Sequence, residues 1–322
     1  SDNFSSCVQM SSSPTSSNSY KTFTIVPSDN LSHATTYLTR ITSGGKDSVG
    51  NPLNGGSQYK TSIGFTTWSG TQILGSSSFD YGKGMTIDSL NNIYVTGHTS
   101  GALDGNSNLG DHDLILVKYN HSGVKQWTKQ WGTSSRDKAY GVTTDSDDNI
   151  YVTGSTDGGL DNNTNSGQSD IFLVKYNSSG IYQWTQQLGT SERDYGYGVA
   201  SDSNNNIYVT GSTSRWYSGG NPTGLDGNTS LGGTDVFIVK YDSSGTKQWT
   251  RQFGTDGYED GRGVTVDSSD NIYITGETSG GFEGESNSGG NDLFLVKYNS
   301  SGTKQLSLIH ISEPTRRTPI SY

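Results

Sequence analysis

The sequence contains little of what characterises a membrane protein, a disulfide-bonded domain or a nucleic-acid-binding domain. Its single cysteine, Cys7, excludes an intramolecular disulfide framework. No run of about 18 apolar residues occurs, so we predict no membrane-spanning helix. The net charge of −10 disfavours binding to nucleic acid or to an anionic membrane surface. Because only 29% of the residues are hydrophobic, a stable core has to come from short apolar runs at regular spacing.

A pentapeptide recurs along the chain at nearly constant spacing. Ile-Tyr-Val-Thr-Gly begins at Ile93, Ile150 and Ile207, so these three copies are evenly spaced. A variant, Ile-Tyr-Ile-Thr-Gly, begins at Ile272, after a somewhat longer step. A tripeptide, Val-Lys-Tyr, recurs with the same period, at Val117, Val174, Val239 and Val296. A fixed period of several tens of residues is typical of proteins built from tandem structural repeats.

Each repeat contains four short strand-like segments separated by residues that favour tight turns. In one copy these segments are Tyr197–Asp202, Ile207–Gly211, Val236–Tyr241 and Gln248–Gln252. The connections within the first pair and within the second pair are rich in Asp, Asn, Ser and Gly, which predicts hairpins. The third segment is apolar at consecutive positions, which predicts a strand buried on both faces.

Four antiparallel strands in each tandem repeat predict an all-β fold, a β-propeller of four-stranded antiparallel blades. The alternative is a β-helix or another solenoid, whose repeats are shorter and contain fewer strands. The segments Asp194–Thr213 and Asp235–Gly245 also resemble the bacterial SBBP-type β-propeller repeat. This resemblance covers Phe79 to Gln305 and implies a propeller of a secreted or surface-exposed bacterial protein, usually without an assigned activity.

The two ends of the chain depart from the repeat. Residues 1–33 are rich in serine and predict a low-complexity lead-in. We assign residues 34–305 to propeller blades, with a degenerate first blade before four clear ones, because Tyr37 precedes Tyr94 by one full period. Residues 306–322 resemble the in-frame translation of a sequencing adapter, and Leu306 stands where the repeat has tryptophan. We therefore expect a non-native tail and, since the chain begins with Ser1, a fragment of a longer protein.

The long connection between the second and third strands is a candidate calcium site. In all four repeats it begins and ends with an acidic residue at the same separation, with amides between them. Ca²⁺ is coordinated by six to eight oxygen atoms, which such a loop supplies. The same residue types also form turns, so the loop has a purely structural alternative. The candidate ligands are Asp104, Asn106, Asn108, Asp113, Asp161, Asn163, Asn165, Asp170, Asp226, Asn228, Asp235, Glu283 and Asp292.

Two further sets of residues suggest chemistry at the long loops. An acidic residue follows the fourth strand by the same offset in each repeat, at Asp80, Asp137, Asp194 and Glu259, and we expect these to bond loop N–H groups rather than to catalyse. The longer step of the repeat contains an insertion with Trp216 and Tyr217, which we predict as binding residues. The alternative is an insertion whose aromatic rings fold back on the blade. We expect the isolated histidines His98, His112 and His121 to be solvated.

These patterns predict a non-enzymatic structural or binding propeller of a secreted or cell-surface bacterial protein. It would recognise protein or carbohydrate through an acidic face made of the long loops. We assign no catalytic residue, because no non-repeated cluster of acid, base and orienting groups is evident. The alternative is a propeller enzyme, a glycan lyase or hydrolase, whose active site would lie outside this chain.

Overall fold

The computed structural model describes residues 71–214, 224–282 and 285–308, together with six short strands before residue 67. The chain divides into two compact units, Ser1–Ile73 and Leu74–Tyr322. Trp216, Tyr217, Glu283 and residues 309–322 lie outside the described residues. Among the described residues there is no helix with the length and hydrophobicity to cross a membrane.

The described part of the first unit consists of pairs of very short strands. Strand β3 pairs with β6 and β4 pairs with β5, a nested arrangement. Most of the degenerate blade that we predicted from residue 34 lies outside the described residues, and it stays a prediction. The strands are β1 Thr15–Ser17, β2 Thr22–Thr24, β3 Thr36–Tyr37, β4 Arg40–Ile41, β5 Tyr59–Lys60 and β6 Phe65–Thr66.

The second unit consists of four antiparallel four-stranded sheets, and each strand pairs with its neighbours in sequence. These are the four predicted blades. The first blade contains β7 Asp80–Ile87, β8 Ile93–Thr99, β9 Asp113–Tyr119 and β10 Lys125–Trp131. The second contains β11 Asp137–Thr144, β12 Ile150–Thr156, β13 Asp170–Tyr176 and β14 Tyr182–Leu188. The third contains β15 Asp194–Ser201, β16 Ile207–Ser214, β17 Thr234–Tyr241 and β18 Lys247–Phe253. The fourth contains β19 Glu259–Val266, β20 Ile272–Thr278, β21 Asp292–Tyr298 and β22 Lys304–Leu308.

The hairpin between the first and second strands of each blade is held by one aspartate. In the third blade Asp202 Oδ1 accepts hydrogen bonds from the N–H groups of Asn204 at 2.9 Å and Asn206 at 2.8 Å. Its Oδ2 accepts a bond of 2.9 Å from the hydroxyl of Tyr208, which is fully buried. Burial and the carboxylate raise the pKa of Tyr208, so the phenol stays neutral. Equivalent bonds are made by Asp88, Asp145 and Asp267, which confirms the predicted hairpins.

The first strands of successive blades lie side by side along the inner edges of the sheets. Glycine at the fifth position of these strands permits the close approach. A Cβ atom on Gly84 would lie 2.8 Å from the carbonyl oxygen of Tyr140, and one on Gly141 would lie 2.8 Å from that of Tyr197. Side chains at the second and fourth positions of these strands therefore come from different blades but share one surface.

The hydrophobic core lies between the blades. Along the third strand of the second blade, Phe172 packs in a cluster with residues of the first blade, whereas Ile171 and Leu173 pack with residues of the third. All three side chains are buried. The prediction of a strand covered on both faces is thus confirmed, because this strand packs against the blades on both of its sides.

Candidate functional site

The first acidic residue of the predicted calcium loop faces the fourth strand of its own blade. Asp226 has left-handed backbone geometry, with φ of 57°. Its carboxylate accepts a hydrogen bond of 2.8 Å from the Thr250 hydroxyl and forms an ion pair with Lys247. Asp161 and Asp104 have the same backbone geometry and bond to Thr185 and Lys125, respectively. These contacts direct the carboxylates toward the fourth strand.

The amides of the same loop act as hydrogen-bond donors to backbone carbonyl groups. Asn106, Asn163 and Asn228 each donate to the carbonyl oxygen of the buried residue three positions earlier, at 2.8–2.9 Å. Asn108 and Asn165 donate to the carbonyl oxygens of Gly110 and Gly167 at 2.9 and 2.8 Å. Amide nitrogen atoms that face the loop backbone fix its turns, which is the structural alternative for these residues.

The closing aspartate of the loop is buried and caps the loop that precedes it. Asp235 Oδ2 accepts a hydrogen bond of 2.8 Å from the Leu231 N–H group and one of 2.7 Å from Gln252 Nε2. Asp113, Asp170 and Asp292 accept from the equivalent N–H groups. The opening and closing carboxylates of the loop therefore bond to different partners. No cluster of three or more His, Cys, Asp or Glu residues that could hold a metal ion occurs among the described residues.

We expect calcium to leave the stability of this protein unchanged. A site occupied at 100 times its dissociation constant would add about 2.7 kcal/mol to the free energy of unfolding. The opening and closing carboxylates accept hydrogen bonds from the protein, although Asp170 Oδ1 and Asp235 Oδ1 have no hydrogen-bond partner among the described residues. We expect the thermal midpoint with excess Ca²⁺ to equal that with a chelator. The measurement is a pair of calorimetric scans, with Mg²⁺ as the control ion. A midpoint raised by Ca²⁺ alone would restore the calcium interpretation.

The acidic residues at the starts of the first strands are structural. Asp194 Oδ2 accepts from the Thr190 N–H group at 2.6 Å and from its hydroxyl at 2.9 Å. Asp137 and Glu259 make the same bonds to Thr133 and Thr255, as we expected for loop N–H groups. Burial raises the pKa of Asp194 to about 6. Because Asp137, Asp194 and Glu259 are fully buried, the acidic loop face that we predicted is not formed by these carboxylates.

A cleft of about 540 Å³ opens between the second and third blades. Lys138 and Tyr140 of β11 form one wall, and Tyr195 and Tyr197 of β15 form the other. The rest of its lining comes from β12 and from loops at the same ends of the strands: Arg136, Ser155, Asp157, Gln168, Ser169 and Arg193.

Aromatic rings continue from this cleft into the neighbouring blades. The ring centroids of Tyr140 and Tyr197 are 5.2 Å apart. The guanidinium carbon of Arg262 lies 4.7 Å from the centroid of the Tyr197 ring, within cation–π distance. On the other side Tyr140 lies 6.2 Å from His98. These three rings and the Arg262 guanidinium therefore form a row of contacts across the four blades, and each member comes from a different repeat.

The phenols of the cleft are neutral hydrogen-bonding groups. Tyr140 and Tyr197 lie within hydrogen-bonding reach of the Ser155 and Ser212 hydroxyls, respectively. Burial raises the pKa of both tyrosines. Half-buried aromatic rings with fixed hydroxyl groups present an apolar face and a polar edge to a ligand.

The cations of the cleft differ in their partners. Arg136 forms an ion pair with Asp111 at 3.1 Å, whereas Arg193 Nε donates to the neutral Gln168 Oε1 at 3.1 Å. Burial, together with Arg136, lowers the pKa of Lys138. Among the described residues that line the cleft, the acidic one is Asp157. Its Oδ1 atom accepts a hydrogen bond of 2.6 Å from the Ser169 hydroxyl.

His98 is buried, so the prediction that it is solvated was wrong. Its side chain is 3% exposed and lies 4.8 Å from the Tyr81 ring and 5.5 Å from the His112 ring. Burial lowers the pKa of His98 to about 4, and the imidazole is therefore neutral at physiological pH. The histidine occurs at this position in one repeat only, so the periodic pattern gave no indication that His98 is buried.

Sequence reasoning also missed the residues of the cleft, although a signal for them was present. The second and fourth positions of the four first strands differ between blades, while most other strand positions recur. Four of these eight residues are tyrosine, in a chain with 19 tyrosines among 322 residues. Tyrosine is therefore enriched at strand positions that vary between the four repeats. The eight residues are Tyr81, Lys83, Lys138, Tyr140, Tyr195, Tyr197, Asp260 and Arg262.

Comparison with family models identifies two kinds of sequence in the chain. A β-propeller repeat family, SBBP, matches residues 70–104, 126–161, 183–214 and 248–283. A bacterial Ig-like domain family matches residues 2–67, where we had assigned a lead-in and a degenerate blade. The second match differs from that assignment of the first unit.

Similarity to individual proteins covers only part of those proteins. The chain is 30% identical over 258 residues to an uncharacterized WD repeat-containing protein of Acanthamoeba polyphaga mimivirus, over 63% of this chain. It is 27% identical over 171 residues to the regulatory protein FlaEY of Caulobacter vibrioides, over 50% of this chain. The matched region spans 18% of the length of each relative.

Solved structures with a similar arrangement include enzymes, at low similarity. A gluconolactonase from Xanthomonas campestris has 13% identity and a TM-score of 0.39, over 71% of this chain and 62% of that one. An ulvan lyase has 14% identity and a TM-score of 0.41, over 71% of this chain and 58% of that one.

Proposed function

Because the chain carries four SBBP-type β-propeller repeats, we propose that it is a non-enzymatic binding module that holds a carbohydrate in the cleft between its second and third blades. The family resemblance supports placing it in a secreted or cell-surface bacterial protein. The observation that carries the proposal is the pair of walls formed by Tyr140 on one side and by Tyr195 and Tyr197 on the other.

The composition of the cleft suits a sugar. Aromatic rings provide an apolar face for the C–H groups of a pyranose, and neighbouring polar side chains bind its hydroxyl groups. Ser155, Asp157 and Gln168 supply both donors and acceptors in the same cleft. The volume of about 540 Å³ is in the range of small-ligand pockets. A protein partner would need a much larger area, about 800 Å² on each side.

The same residues favour binding over hydrolysis or elimination. A glycosidase uses two carboxyl groups on either side of the scissile bond. Of the described residues that line the cleft, Asp157 alone is a carboxylic acid, and it is bonded to Ser169. A tyrosine that acts as a base needs a pKa near the working pH. Burial instead raises the pKa of Tyr140 and Tyr197.

We expect the protein to bind at least one member of a panel of soluble bacterial, plant and algal polysaccharides. Tyr197→Ala is expected to weaken that binding at least about tenfold, the effect of about 1.4 kcal/mol, because it removes one of the two rings that form one wall of the cleft. Isothermal titration calorimetry on the wild type, on Tyr197→Ala and on Tyr195→Ala measures the change. Tyr182→Ala is the matched control, because Tyr182 lies on the outer strand β14 and is 46% exposed.

Three outcomes would overturn this proposal. One is a wild-type protein that binds no member of the panel. In another, Tyr195→Ala and Tyr197→Ala leave the binding constant unchanged, and a double Trp216→Ala, Tyr217→Ala variant loses binding. That result would assign the binding site to the insertion. The third is release of new reducing ends or unsaturated sugars during incubation, which would show an enzyme. Circular dichroism of each variant checks that it is folded.

A further inference from the structure

The Lys138 side chain differs from the other described cations in its lack of a direct partner among the described residues. Of the lysines and arginines that the structure describes, Lys138 alone has a side chain that makes no hydrogen bond, ion pair or aromatic ring contact with a described residue. Asp157 and Asp111 act on it only at longer range. The sequence contains 31 acidic and 21 basic residues, so carboxylates are plentiful. A half-buried ammonium group without a bonded counter-charge is unfavourable, and an anion beside it would relieve that cost.

The neighbouring cations point into the same cleft. Arg193 lines it and is bonded only to the neutral amide of Gln168, which leaves its charge without a carboxylate partner among the described residues. Arg136 lines it too, although Asp111 balances its charge. The carboxylates nearby are bonded to neutral groups, Asp157 to Ser169 and Glu192 to Gln168 Nε2 at 3.1 Å, and neither forms an ion pair with Lys138 or Arg193. Two cations, Lys138 and Arg193, are therefore available to a ligand.

We infer that the ligand of this cleft is an acidic polysaccharide, whose carboxylate or sulfate groups bind Lys138 and Arg193 while its sugar rings lie against the cleft tyrosines. This inference rests on the carbohydrate-binding function proposed above and specifies the class of sugar. Arginine and lysine bind carboxylate and sulfate through charge-assisted hydrogen bonds. The net charge of −10 acts against a polyanion at long range, so the attraction has to come from cations placed in the cleft itself.

The test compares each acidic polysaccharide with its neutral counterpart, and a polyanion without sugar rings is the control. The probes are polygalacturonic acid and its carboxyl-reduced neutral counterpart, dextran sulfate and dextran, and poly-L-glutamate. We expect the wild type to bind one acidic polysaccharide at least about tenfold more tightly than its neutral counterpart. The carboxylate and sulfate pairs then show which anion the cleft prefers.

Variants of the two cations assign the effect to the cleft. We expect Lys138→Gln and Arg193→Gln each to weaken binding of the acidic polymer about tenfold and to lower the ratio between acidic-polymer and neutral-polymer binding. Lys247→Gln is the charge-matched control, because its partly exposed ion pair with Asp226 lies outside the cleft lining and contributes little to stability. Lys138→Gln removes a charge without a bonded partner, so its thermal midpoint is expected to be no lower than that of the wild type.

The outcomes separate this inference from the proposed function. Equal binding of acidic and neutral polymers, unaffected by either cation variant, would overturn the inference and leave carbohydrate binding standing. Binding of poly-L-glutamate as tightly as the polysaccharide would overturn it in favour of an acidic protein partner. Failure to bind any polysaccharide would overturn both.

Discussion

Replacement of Phe237 with alanine is expected to lower the free energy of unfolding by about 3–5 kcal/mol, the range for a large buried aromatic residue. Phe237 is fully buried and packs in one cluster with Tyr151, Ile171 and Leu173 of the preceding blade. Its side chain therefore contributes to the contact between two blades as well as to its own sheet. The cavity left by alanine cannot close without moving one blade against another.

Urea unfolding monitored by tryptophan fluorescence measures the effect of Phe237→Ala. Ile181→Ala is the control, because the Ile181 side chain is 61% exposed, and we expect a change within about 0.5 kcal/mol. A loss of less than about 1 kcal/mol for Phe237→Ala would contradict the conclusion that the blades are stabilised by their mutual contact.

Replacement of Gly97 with alanine is expected to cost at least about 3 kcal/mol, because the new methyl group would collide with the backbone. Its Cβ atom would lie 1.7 Å from the carbonyl oxygen of Tyr81. Gly82 faces Gly97 directly across the two strands, yet a Cβ atom there has no neighbour within 4 Å. Gly82→Ala is therefore a matched control, which we expect to cost less than about 1 kcal/mol.

Thermal and chemical unfolding of the two glycine variants test this difference. The two changes add the same methyl group to opposite members of one cross-strand pair, so general effects of losing a glycine cancel. Equal destabilisation by both would show that backbone entropy, and not the close approach of the strands, explains the recurring glycine.

The recurring pentapeptide can now be explained residue by residue. Its tyrosine bonds to the hairpin aspartate, as Tyr208 does to Asp202. Its threonine bonds across to the third strand, as the Thr210 hydroxyl does to the Phe237 carbonyl oxygen at 2.7 Å. Its glycine permits the close approach to the first strand, where a Cβ on Gly211 would lie 1.8 Å from a carbonyl oxygen. The residues that recur serve the fold, whereas the lining of the cleft includes strand positions that vary between the repeats.

The number of clear blades, the four strands in each, the hairpins and the two-sided burial of the third strand could be predicted from the sequence alone. These features depend on interactions between residues close in sequence, or on a pattern repeated in every blade, so a periodic sequence displays them. The direction in which each loop carboxylate points could not be predicted in this way. Asp226 and Asp235 are the same residue type in one loop, and they differ only in the groups that donate hydrogen bonds to them.

The residues that meet at the inner surface could be identified from the folded structure and not from the sequence. Tyr140 and Tyr197 stand one full repeat apart in the sequence, and nothing local links them. They come together because the first strands of neighbouring blades lie side by side, close enough that Gly141 has room only for a hydrogen atom against the Tyr197 carbonyl oxygen. The cleft is a product of how blades stack, and stacking depends on packing between segments that are distant in the chain.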